Sequence, residues 1–244
     1  MNMTSSALLT IICRYFALIC PLIMFVIGII IVAGKQKSVR ILGIGYILSS
    51  LSGVISALKL FPTSIISRLP SPPLTILAEL LGYGTLVCIC IFLHKNYGKK
   101  FIYIPVFVIL IAGRLFASLS SSLLSRLVQD KPEKSYWVVA YGIVVPVVID
   151  VVNDVLITVI MYKNRKSEKV IPKAWYLRII NVVVTVASAF IYSLFFVSIY
   201  RATTHMGLLE CVVTISEISS YLCALIVPLY IMIRSVKKNT EAKA

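Results

Sequence analysis

This sequence predicts an all-α, polytopic membrane protein, a bundle of seven transmembrane helices with its N-terminus extracytoplasmic and its C-terminus cytoplasmic. Three observations lead there. The 244-residue chain holds seven apolar stretches, each near the roughly 20 helical residues that a hydrocarbon core of about 30 Å requires. It is 59% hydrophobic and 14% charged, against roughly 45–50% and about 25% in soluble domains, so its excess apolar surface needs lipid. Its connectors also alternate between strongly and weakly basic.

The crossings are expected at about 15–34, 41–60, 74–93, 101–121, 137–161, 176–199 and 209–233. The first follows Arg14, with neither the basic leader nor the small-residue cleavage pattern of a secretory signal, and reads as a permanent helix. The second lies between Arg40 and Lys59, and the third closes in Phe92-Leu93-His94-Lys95. The fourth carries Arg114 in its interior. The fifth opens at Trp137 and the sixth follows Trp175, amphipathic rings that favour the membrane interface. The seventh contains Val227-Pro228-Leu229-Tyr230. These helices leave only short connectors, so residues 1–244 form one transmembrane domain.

The net charge of +15 is a topology signal and implies no nucleic-acid partner. The C-terminus and the connectors after helices 1, 3 and 5 carry Lys35, Lys37, Arg40, Lys95, Lys99, Lys100, Lys163, Arg165, Lys166, Lys169, Lys173, Arg178, Arg234, Lys237, Lys238 and Lys243. The opposite side carries Arg14, Lys59, Arg68, Arg126, Lys131, Lys134 and Arg201. Short loops rich in Lys and Arg stay cytoplasmic, which sets the orientation. The same residues attract anionic headgroups, and the basic 163–178 loop suits an acidic cytosolic partner. The inner turns after helices 1, 3 and 5 look alike because any inward helix end is apolar and then basic.

Cys13, Cys20, Cys88, Cys90, Cys211 and Cys223 fall in or at the ends of crossings and read as small buried apolar residues rather than an outer disulfide framework. Candidate functional residues are the ionisable groups that lipid penalises. Of nine acidic residues, Glu79, Asp150, Asp154 and Glu217 lie inside crossings and Glu210 at the start of the last. A charge at membrane depth costs about 2.5 kcal/mol or more unless it faces protein or water. Asp150, Asn153 and Asp154 share one face of helix 5, one turn after Pro146, which frees a carbonyl. Glu210, Thr214, Glu217 and Tyr221 line helix 7, and Glu79 with Tyr83 forms a shorter stripe on helix 3. With Arg114 at overlapping depth, an ion-pair network is expected. Carboxylates four residues apart repel, so the surplus negative charge favours a small cation, a proton or a basic solute; a metal-binding role is left open.

Enzymatic readings fare poorly. Only His94 and His205 are present, on opposite faces, too few for a multi-histidine zinc site. No nucleophile elbow, His-Glu-x-x-His or phosphate-cradling glycine loop occurs. Helix 3 lacks the acidic-Arg pair of G-protein-coupled receptors, helix 7 lacks their asparagine before Pro228, and no lysine between Leu209 and Ile233 could carry retinal. The Pro-Gln signature of small seven-helix sugar and amino-acid carriers is also absent.

The expectation is therefore a non-enzymatic protein without a cofactor, in a plasma or bacterial inner membrane rather than an organelle membrane. The leading function is a small transporter or channel-like permease for a cation, proton-coupled or basic solute, using Glu79, Arg114, Asp150, Asn153, Asp154 and Glu217. The alternative is a seven-helix receptor or sensor that signals through its basic cytoplasmic loops.

Overall fold

Backbone groups in lipid must bond within their own segment, and the computed structural model shows that outcome. It describes residues 5–34, 36–59, 61, 71–97, 108–109, 111–113, 115–116, 132–165, 171, 173–200 and 206–241. Among these every regular element is helical. The bounded helices are α1 (Ser5–Ala33), α2 (Lys37–Leu58), α3 (Ser71–Tyr97), α4 (Pro132–Lys163), α5 (Ala174–Tyr200) and α6 (Met206–Glu241). Residues 108–109, 111–113 and 115–116 are helical as well, and the rest of the 101–121 segment lies outside the described residues.

Among the described residues four stretches are long and apolar enough to cross a membrane: Leu8–Ala33, Lys37–Leu58, Ile76–Asn96 and Cys211–Lys237. Their outward faces expose large apolar side chains such as Leu22, Val26, Leu80 and Leu222. A continuous apolar exterior of this kind marks a membrane-facing surface. α5 adds a shorter apolar stretch at Ala174–Ser188.

Local chemistry sets the helix ends. α1 stops at Gly34, whose carbonyl accepts a bond from Arg40 Nε at 3.1 Å, so a side chain satisfies a group that the helix leaves open. α3 opens with Ser71-Pro72-Pro73, and proline is tolerated in a first turn because the missing N–H has no intrahelical partner there. Trp175, in the first turn of α5, packs edge-on against Tyr162 at 5.1 Å.

One boundary departs clearly from expectation. α1 begins at Ser5 rather than near 15, so Arg14 belongs to the apolar stretch Leu8–Ala33. The apolar run Leu8-Leu9 and Ile11-Ile12 extends the helix backward, and the half-buried arginine has a stem long enough to lie along it.

Each helix packs on its sequence neighbour where both are described, α1 on α2, α2 on α3, α4 on α5 and α5 on α6, and α6 returns to α1. Cys13 meets Glu217, near the start of both α1 and α6, so the two run parallel. Ser188 meets Ser216 and Ser220 while Lys173, just before α5, meets Tyr230 far along α6, which sets α5 antiparallel to α6. A Cβ on Gly113 would lie 3.6 Å from Ile149 Cδ1, placing that segment beside α4. One apolar cluster joins Cys20, Ile27 and Ile31 of α1 to Val39, Phe92, Ile157, Met161, Leu225 and Ile231. It occupies the half of the bundle nearest the α1–α2 and α4–α5 turns.

The α1–α2 crossing depends on absent side chains. A Cβ on Gly43 would sit 2.8 Å from Val32 Cγ2 and 2.9 Å from the Gly28 carbonyl oxygen, whereas one on Gly82 meets nothing closer than 3.9 Å. Small residues let membrane helices approach this closely. Gly43→Val should lower stability by about 1–3 kcal/mol, and Gly82→Ala should leave it within about 0.5 kcal/mol. Thermal unfolding in detergent tests both, and an unchanged midpoint for Gly43→Val would show that the crossing is loose.

Candidate functional site

Three polar sites lie along the helix seams, each built by a different pair of helices. The first joins α4 to α5. Asp150, Asn153 and Asp154 occupy one face of α4 as the spacing predicts, with Asn153 only 4% exposed. Antiparallel packing sets Arg178, in the second turn of α5, opposite Asp154. Its Nη2 donates to Asp154 Oδ1 as a salt bridge, with side-chain exposures of 13% and 32%. Thr158 Oγ1 donates to the Asp154 carbonyl at 2.7 Å.

Several groups at this seam are buried without a partner among the described residues: both amide atoms of Asn153, Arg178 Nε and Asn181 Oδ1. Two can donate and two can accept, which suits a small hydrogen-bonding guest. Arg178 also borders a cavity of about 20 Å³ with Tyr46, Ile89, Phe92 and Ile157. That space admits one water and nothing larger, so this cavity offers no passage for a solute.

The second site joins α1 to α6. Glu217 Oε2 accepts from Cys13 Sγ at 2.9 Å, with Tyr221 in electrostatic reach of Glu217, Cys13 and Cys20 and Thr214 buried on the same stripe. The expected helical face of Thr214, Glu217 and Tyr221 is therefore present; nothing is described of the Glu210 side chain. On the α5 side of α6, Ser216 Oγ donates to Ser188 Oγ at 2.8 Å, and Ser188 and Ser220 lie 2.8 Å apart.

The third site is the roomiest. Glu79 of α3 lines a cavity of about 220 Å³ between α2 and α3, with Ser52, Ser56, Lys59, Gly82 and Tyr83. Its floor is fixed by Ser52 Oγ, which donates to the Ala78 carbonyl at 2.7 Å. An acid, an ammonium, two hydroxyls and a phenol around one space can bind a solute carrying either sign of charge, or both.

The acids are thus distributed rather than gathered. Glu79 lies on the α2–α3 seam, Glu217 on α1–α6 and Asp154 on α4–α5. Arg114 falls outside the described residues. The arginine that pairs with Asp154 is Arg178, which the loop-charge pattern assigns to the inner connector. The reason is geometric: from the second turn of α5 its side chain turns into the bundle. A signal for it is present in the sequence, because Arg178, Asn181, Thr185 and Ser188 recur at helical spacing and mark a polar face. Ser52, Ser56 and Lys59 recur at the same helical spacing on α2, a signal that the weight given to charged residues alone passed over. Among the described residues no group of three His, Cys, Asp or Glu side chains is placed to hold a metal ion.

These features define an all-helical membrane protein. No protein-family model, curated protein or solved structure matches the chain.

Removing one partner of a fully buried ion pair costs about 3–5 kcal/mol, while replacing both by apolar residues is often near neutral; the part-buried Asp154–Arg178 pair should lose less than that upper figure. Arg178→Met should therefore lower the unfolding midpoint sharply, and Arg178→Met with Asp154→Leu should recover most of the loss. Purely additive losses in that double-mutant cycle would show no coupling. Asn153→Leu removes two unpartnered buried atoms and should raise stability by about 1 kcal/mol; a lower midpoint would show that the amide is satisfied.

Proposed function

We propose that the chain is a non-enzymatic, seven-crossing membrane protein, N-terminus outside and C-terminus inside, that binds a small cationic or zwitterionic solute in the α2–α3 cavity and acts as a sensor. The carrying observation is the contrast between the two halves of the bundle. The half holding Glu79, Lys59 and Glu217 has a polar cavity of about 220 Å³, whereas the half nearest the basic turns is packed with apolar side chains. The alternating basic connectors support placing the polar half outside.

The output of such a sensor falls to the basic connector between α4 and α5. Its ends are tied to the bundle: Tyr230 Oη of α6 accepts from the Lys173 backbone N–H at 3.4 Å, and the Arg165 guanidinium stacks 4.0 Å from the Tyr162 ring centre. Movement of α6 or α4 would shift the exposed Lys163, Arg165 and Lys173, whose charges suit an acidic cytosolic partner.

Transport is the second reading, favoured by the polar node at Asn153, Asp154, Arg178 and Asn181, which lies deeper than the cavity. A path would run from Glu79 past Asp150 and Asp154, with Arg114 and Glu217 adjusting its charge. The packed apolar half places this reading behind the first.

Thermal-shift measurements with small cations, polyamines and amino acids address binding. A solute at about 100 times its Kd stabilises the folded state by about 2.7 kcal/mol, and that shift should vanish in Glu79→Gln. Reconstituted vesicles address movement: the parent, Asp150→Asn and Glu217→Gln should all show ion and proton flux no greater than empty vesicles. Flux in the parent that either variant abolishes would replace the sensor with a permease.

A further inference from the structure

A second large cavity lies away from the polar sites and has a different chemistry. It is a groove of about 280 Å³ between α3 and the 108–116 segment. Val87, Cys90 and Ile91 form the α3 wall, Val108 and Ile111 the other, and His94 with Lys95 closes one end. Val87, Ile91 and Val108 are exposed, so the groove faces away from the core and toward the bilayer. Val87, Ile91 and Lys95 are each four residues apart and lie in line along α3, over about 12 Å of helix.

We infer that this groove binds an anionic phospholipid, one acyl chain lying along Val87 and Ile91 with its phosphate at Lys95. The charge pattern selects this occupant. A peptide would bring backbone groups that apolar walls cannot satisfy, and an uncharged lipid would account for the walls but leave the cation without a role. Lys95 occupies the last turn of α3, where unbonded carbonyls repel an anion. Asn96 Nδ2 adds a second bond to the Phe92 carbonyl at 2.9 Å and is thereby turned back along the helix. Attraction of the phosphate therefore falls chiefly to Lys95, which makes the site sensitive to one side chain.

The test uses the full chain in nanodiscs of equal parts phosphatidylcholine and phosphatidylglycerol, with native mass spectrometry counting the lipids that each form retains. The parent should retain phosphatidylglycerol preferentially. Lys95→Ala should reduce that preference about fivefold, the loss expected for one basic residue near an anionic headgroup. Cys90→Trp, which fills the groove, should remove the retained lipid. Lys163→Ala, at the exposed inner end of α4, should lower the preference far less than Lys95→Ala does. Circular-dichroism melting confirms folding of each variant, and Lys95, being exposed, can be removed without disturbing the core. An unchanged preference in Lys95→Ala, or an equal loss in Lys163→Ala, would overturn the site in favour of general surface attraction.

Discussion

Polar groups inside an apolar slab must find partners within the protein, and most of this structure is a set of answers to that requirement. The backbone answers by forming helices. Hydroxyls answer by bonding to carbonyls: Ser50 to Ile47, Thr158 to Asp154 and Thr185 to Asn181, with Thr85 bonding both Leu81 of its own helix and Gly45 across the α2–α3 seam. Such bonds add little individually, about 0.6–2 kcal/mol between membrane helices. Their value lies in fixing rotation, because lipid tails are as apolar as leucine and give helices no hydrophobic reason to choose one face. Where no hydroxyl links the helices, glycine does similar work by close approach, as at Gly28 and Gly43.

Charged groups face the same requirement at higher cost, and the solution is one seam per acid. Asp154 has Arg178, Glu217 has the Cys13 thiol, and Glu79 has a cavity with Lys59 and two serines. This division separates structural from functional roles. The Asp154–Arg178 pair is a direct salt bridge and gives α4 and α5 a fixed register. The Glu79 site has space that packing does not fill. A carboxyl group beside a cavity of this size has room for a guest, which makes it the better candidate for recognition.

Much of this was legible in the sequence, and the failures have physical causes. Hydropathy reads how long a segment stays apolar, and helices stand over the 41–60, 74–93, 137–161, 176–199 and 209–233 segments, although α4 starts five residues before 137 and α6 runs eight residues past 233. Arg14 marked a false boundary because hydropathy treats every arginine as an interface, although a long stem lets one lie within an apolar helix. The same assumption put Arg178 in a loop. Helical spacing reads out the faces of α4 and α6, where Asn153 is buried with Ile157 and Thr214 lies one turn from the half-buried Glu217. What spacing could not provide was the partner across each seam. That depends on helix rotation, which glycine contacts and hydroxyl bonds decide, and those signals are too small to read from composition.

The division into a polar half and an apolar half also bears on whether a small solute has enough energy to act as a signal. Moving a two-state equilibrium from 1:99 to 99:1 takes about 5.5 kcal/mol of differential binding, and breaking a buried ion pair costs about 3–5 kcal/mol. The best small ligands gain up to about 1.5 kcal/mol per heavy atom. A cavity of about 220 Å³ has the volume of roughly seven waters, enough for a solute of several heavy atoms. Such a solute commands energy of the same order as the Asp154–Arg178 bridge on the α4–α5 seam. A wholly apolar seam would leave α4 and α5 without a fixed register, so under the proposed sensor reading this one salt bridge, with unpartnered amide atoms beside it, is the element that a small guest would have to shift.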